Sequence, residues 1–118
     1  MIKTKNVYQP ADVEDGFRLL IMRKWPRGVK KDSVEAWEKE FGPSLELLTD
    51  WRDGRISWEQ FEQRYISEVQ GKGDLVADLV AKAQNQTVTV LCSCREEERC
   101  HRILLKRIVE QRLKAKAG

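Results

Sequence analysis

The chain has 118 residues, 22 Lys and Arg against 19 Asp and Glu, a formal net charge of +3 and 41% hydrophobic residues. That length suits one domain with a core of its own, and mixed charge with an ordinary apolar share excludes wholesale disorder. No run of about 18 apolar residues exists to span a membrane, and the start, M-I-K-T-K-N-V-Y, lacks the apolar stretch of a secretory signal, so the expected compartment is the cytoplasm and no membrane partner is expected.

In chain order, Ile2–Tyr8 alternates weakly and reads as an edge strand, and Gln9–Gly16 as a loop. Phe17–Met22 is a short apolar run, consistent with a buried strand. It stops at Trp25-Pro26-Arg27-Gly28, where Pro and Gly break regular structure. Asp32 or Ser33 is placed to cap a helix carrying Val34, Trp37 and Phe41 on one side. Ser44 caps a second helix through Leu45, Leu47, Leu48 and Trp51. Ser57 caps a third, with Trp58, Phe61, Tyr65, Ile66 and Val69 at spacings of three and four. Asp74 caps a fourth with Leu75, Val76, Leu79, Val80 and Ala83. Thr87–Cys92 alternates Val and Thr into Leu91 and is the best strand. The last helix is expected from about Glu97 to Lys114. The implied fold is α/β: a small single domain over residues 1–118, with a short, mostly parallel sheet flanked by about five helices. A basic tail occupies about residues 113–118. The strand ends at Arg23 and at Cys92–Cys94 are expected to open onto the same edge.

All three cysteines (Cys92, Cys94, Cys100) and the only histidine (His101) fall within ten consecutive residues. Three clustered cysteines without a secretory signal favour reduced thiols over a disulfide framework. The cluster lies where a strand turns into a helix, the customary ligand position of α/β proteins. Three chemistries can use it. Three thiolates and an imidazole make a tetrahedral zinc set, yet the spacing C-x-C-x5-C-H lacks a C-x2-C knuckle. Adjacent Cys100 and His101 also project about 100° apart if both are helical. Thiol catalysis would place Cys94 near a helix amino terminus beside Arg95 and Arg99, with His101 or Cys100 assisting. A phosphatase loop is excluded, because Cys100 stands where Cys-x5-Arg needs its arginine. Third, amide groups at the helix start with Arg95, Arg99 and Arg102 could hold a phosphate or nucleotide. Against all three stands the plain alternative that Cys92 is core packing.

Arg23 and Arg27 bracket a Trp25-Pro26 turn, which reads either as guanidinium groups presented to an anion with Trp25 as a wall, or as a lid on the core. Residues 95–118 hold eight Lys and Arg against four Glu. This leaves nucleic-acid binding by the basic carboxyl-terminal helix as the rival function, although a pI near 8.8 is modest for a dedicated binder.

The succession R-K-W-P-R-G, A-W-E-K-E-F-G-P-S-L-E-L, W-E-Q-F-E-Q-R-Y-I-S-E-V and V-T-V-L-C-S-C-R-E-E-E-R-C-H-R-I-L-L, over roughly residues 6–112, resembles the YeaO-like family, also known as domain of unknown function 488. The resemblance implies a single α/β domain and carries no established activity. The family's C-H-R branch shows one Cys at the strand end, in a C-x-E spacing, so the paired Cys92 and Cys94 depart from it. Other members carry non-thiol polar residues at positions like Cys100 and His101, which favours a polar pocket over obligate zinc or thiol catalysis. The leading expectation is therefore a pocket for a small anion, a phosphate or nucleotide, between the W-P-R-G loop and the strand–helix junction. Arg23, Arg27, Arg95 and Arg102 would contact the ligand, with Trp25 beside it and Cys94 and His101 as candidate catalytic groups. The metal alternative is zinc on Cys92, Cys94, Cys100 and His101.

Overall fold

The strand Val88–Cys92 is buried at all five positions. Both of its faces are therefore covered, as in the centre of a parallel sheet. The computed structural model, which describes residues 1–117, explains why. Four strands, β1 (Ile2–Asn6), β2 (Phe17–Leu20), β3 (Ala36–Trp37) and β4 (Val88–Cys92), lie in the order β1-β4-β2-β3. Every pairing is parallel, with Asn6 opposite Cys92 and Leu20 opposite Leu91. Strand β4 is therefore inserted last between two strands laid down early, and all carboxyl ends share one edge.

Four helices, α1 (Leu45–Arg52), α2 (Trp58–Gln70), α3 (Gly73–Asn85) and α4 (His101–Ala117), complete the fold. Strand residues Leu19, Val88 and Val90, with Ile21 just past the end of β2, pack with Leu47, Phe61, Tyr65, Leu79, Leu105 and other helical side chains in one cluster. The opposite face buries Leu20 and Leu91 with Val7 beneath Met22, Trp25, Val29 and Val34, all from loops or β-type segments. Helices thus cover one face and the 22–34 loop the other. Ser44 caps α1 through the Leu47 amide, and Ser57 forms a capping box with Gln60 at α2, as the sequence indicates. Helix α3 begins slightly before the expected Asp74 cap, with Lys72 at its N-cap.

Two expectations are corrected. Residues 32–41 form no α-helix: short 3-10 turns at Lys31–Ser33 and Lys39–Phe41 flank β3. The open edge of β2 claims the backbone instead, with Glu35 N–H donating to Arg18 O and Glu38 N–H to Leu20 O, both at 2.9 Å. Val34 and Phe41 consequently enter opposite cores while Trp37 stays partly exposed, and the count is four helices where about five were expected. The last helix starts at His101, not near Glu97, because Glu97–Arg99 is a 3-10 turn and Cys100 is extended (φ −134°, ψ 147°). The basic segment of residues 113–117 continues α4, and residue 118 lies outside the described residues. Among the described residues, no helix is long and apolar enough to cross a membrane.

Candidate metal centre

Because Cys100 is extended and only His101 is helical, the two adjacent side chains are free of the 100° divergence of helical neighbours. Cys92 ends β4, Cys94 follows in the turn, and Cys100 and His101 return from the far side of the 95–99 loop. The four ligand atoms all lie within 4.8 Å of one another. Cys92 Sγ is 3.6 Å from Cys94 Sγ. His101 Nδ1 is 3.8 Å from both Cys92 Sγ and Cys100 Sγ. A tetrahedral zinc ion, with Zn–S near 2.3 Å and Zn–N near 2.0–2.1 Å, sets its ligands about 3.5–3.8 Å apart. Cys92, Cys100 and His101 are buried and Cys94 is half-buried.

The histidine is oriented for ligation. Its Nε2 lies 2.6 Å from the Ile21 carbonyl, which can only accept, so Nε2 carries the proton and the bare Nδ1 faces the sulfurs. Burial holds the imidazole below its usual pKa, keeping it neutral. The Tyr65 ring meets it edge-on at 5.5 Å, and the Tyr65 hydroxyl is fixed by donation to Phe41 O at 2.7 Å. The backbone of the cysteine turn is clamped as well: Arg102 Nη1 donates to Cys92 O (3.3 Å) and Cys94 O (3.0 Å), and Asn6 Nδ2 donates to Cys94 O (3.2 Å). The Thr4 hydroxyl donates to Glu97, tying the 95–99 loop to β1.

Three thiols this close cannot all ionise beside one another. Hydrogen bonding by the Cys100 and Cys94 thiols draws Cys92 well below the ordinary thiol range, and hydrogen bonding to Cys92 pushes Cys100 far above it. A divalent cation at the centre would reverse that opposition, since it stabilises every thiolate it binds.

A cavity of about 210 Å³ adjoins the cluster, between the ends of β2 and β4, lined by Arg23, Trp51, Phe61 and the four cluster residues among others. The ends at Arg23 and at Cys92–Cys94 do share an opening. The candidate anion-binding residues do not all share it. Arg23 faces the cavity but is engaged by Glu40 (2.8 Å), Pro43 O (3.2 Å) and Gly42 O (2.8 Å). Trp25 donates to Val29 O and packs edge-on against Trp37 on the other side of the sheet. Arg27 is exposed, and its carbonyl accepts from the Tyr8 hydroxyl. Arg95 and Arg102 line a separate groove with Asn6, Tyr8, Gln9 and Ser93. Sequence reasoning missed Asn6 and the Ile21 carbonyl, neither of which carries a motif. It saw Phe61 and Tyr65 only as a helical stripe.

The family profile DUF488-N3a, described as the active DUF488-N3 subclade, matches residues 2–113. The chain is 34% identical over 109 residues to the uncharacterized protein YeaO of Escherichia coli K12, covering 88% of this chain and 92% of that one. It is 30% identical over 113 residues to the uncharacterized protein Rv3073c of Mycobacterium tuberculosis H37Rv, covering 94% and 95%. No solved structure matches.

Proposed function

The chain belongs to the DUF488 family, and from that premise we propose that it is a zinc-binding α/β protein whose Cys92, Cys94, Cys100 and His101 hold one ion at the strand–helix junction. The observation that carries this reading is the convergence of three sulfurs on an imidazole nitrogen whose opposite nitrogen is already engaged by Ile21. Thiolate and imidazole donors gathered within 4.8 Å of one another suit Zn²⁺ over the hard, oxygen-seeking cations. Four protein ligands make a closed set, which favours an organising role for the ion. It would fix the end of β4 to the start of α4 and hold the intervening loop, with its arginines, in place. The test is elemental analysis of the protein purified without added metal, followed by Co²⁺ substitution. Stoichiometric zinc and the absorption of tetrahedral thiolate–Co²⁺ are expected, with both lost in Cys100→Ala. Reduced, metal-free protein that takes up neither ion overturns the reading.

Cys94 favours a second reading, thiol-assisted chemistry. It is the half-buried cysteine of the cluster and borders the cavity beside Arg99. The description of the matching subclade as active is consistent with a reaction. A protein that is purified without metal and takes up neither Zn²⁺ nor Co²⁺, yet has one rapidly alkylated thiol at position 94, would select this alternative.

A further inference from the structure

The turn that bears the cysteines has a second side. There the carboxyl ends of neighbouring strands β1 and β4 border an open groove of about 580 Å³, lined by Asn6, Tyr8, Gln9, Ser93, Arg95 and Arg102. Its volume falls in the ordinary range of small-molecule sites. No carboxylate is among these residues. Arg102 is only 4% exposed, and its Nε is a buried donor without a hydrogen-bond partner. Its Nη1 is held by two carbonyls of the cysteine turn, so the guanidinium is fixed in place, and among the described residues it pairs with no carboxylate, the Cys92 sulfur being the acidic group its charge acts on. A buried cation in that condition is costly unless an anion reaches it.

The remaining groups all suit an anion. Arg95 is exposed and makes no ion pair among the described residues. Gln9 Oε1 accepts from the Asn6 amide, which leaves its NH₂ group as the side chain's free function. Asn6 is committed at both ends, accepting from Tyr8 N–H and donating to Cys94 O, and so acts as scaffold. Ser93 adds a hydroxyl. Two guanidinium groups, an amide donor and a hydroxyl around one opening match the several oxygens of a doubly charged tetrahedral anion better than a single carboxylate.

We infer that this groove binds a phosphate monoester, with Arg102 and Arg95 on the phosphate oxygens. The inference rests on the groove's own residues and stands whether or not the neighbouring cluster holds zinc. The phosphate could belong to a small metabolite or to the 5′ end of a nucleic acid, and the test separates these. Calorimetric titration of the full-length protein compares AMP with adenosine, and a 5′-phosphorylated oligonucleotide with its unphosphorylated twin. AMP or the phosphorylated oligonucleotide should bind, and removal of the phosphate should weaken binding at least about tenfold, or 1.4 kcal/mol. Arg95→Gln should weaken the phosphorylated ligand by a similar factor while leaving metal content unchanged, and Arg27→Gln should have no effect. Whichever phosphorylated ligand binds more tightly identifies the source. Failure of both to bind at millimolar concentration, equal binding of the unphosphorylated twin, or indifference to both Arg95→Gln and Arg102→Lys overturns the inference. Because Arg95 lies on the surface, its variant is informative even where Arg102 variants do not fold.

Discussion

Replacing Asp15 by Asn perturbs the most enclosed ion pair among the described residues. Asp15 and Arg18 have side chains only 8% and 5% exposed, with Oδ2 and Nη1 2.5 Å apart. Lys5 of β1 joins at 3.0 Å, and the Asp15 carboxylate also accepts from Asp12 N–H at 3.1 Å. Removing one partner of a buried pair costs about 3–5 kcal/mol, because the other charge is left uncompensated. Arg18 Nε retains Ser33 O at 2.7 Å, and an asparagine oxygen can still accept one bond, so the low end, about 3 kcal/mol, applies. At about 0.05–0.15 kcal/mol per residue, the whole protein is stable by only about 6–18 kcal/mol, so the loss is readily measured in urea. The midpoint should fall with the slope unchanged. The pH dependence follows from the carboxyl's position. Burial opposes its ionisation, but the Asp12 amide, Lys5 and Arg18 together hold its pKa below the usual aspartate value. A depressed folded pKa contributes stability above the unfolded value, near 3.9, and loses it as pH falls through the folded value. The gap between wild type and Asp15→Asn should therefore be full at neutral pH and shrink in strong acid. A neutral-pH difference below about 1 kcal/mol, the size of an exposed pair, would refute the reasoning.

Chelation of the zinc-loaded protein should lower its melting temperature reversibly. At free metal about a hundredfold above Kd, the ion adds about 2.7 kcal/mol, and calorimetry with and without chelator measures it. In metal-free protein Cys94 should react first with iodoacetamide, since Cys92 and Cys100 are buried, and zinc should slow that reaction; peptide mass mapping identifies the site. Gly42→Ala should destabilise by about 1–3 kcal/mol through overpacking, because a Cβ there would stand 2.3 Å from the Arg23 backbone nitrogen. Chemical denaturation checks it, and an unchanged midpoint would show that the Arg23 loop yields freely.

Much of the architecture is written locally. Ser44 and Ser57 start helices by accepting hydrogen bonds from amides three residues on, and the aromatic stripe of α2 follows its own 3.6-residue period. Strand β4 and the parallel crossover are equally legible, as is the concentration of sulfur and imidazole at one junction. Nearby residues could not reveal β3, whose residues pair only because β2 offers an open edge. The start of α4 was misplaced for a related reason. Glu96–Glu98 favour a helix amino terminus, but the descent from β4 needs Cys100 extended so that it faces Cys92.

By itself, then, the sequence determined β1, β2, β4 and three of the four helices, the α/β class and the ten residues that hold the reactive side chains, since caps, periodicity and composition act over a few residues. Only the tertiary structure decided that the adjacent Cys100 and His101 converge, that Arg102 is buried with no carboxylate partner among the described residues, and that the arginines divide between two openings. Those outcomes depend on the insertion of β4 between β1 and β2, which sets Ile21 beside His101 and Asn6 beside Cys94 across separations of 80 and 88 residues.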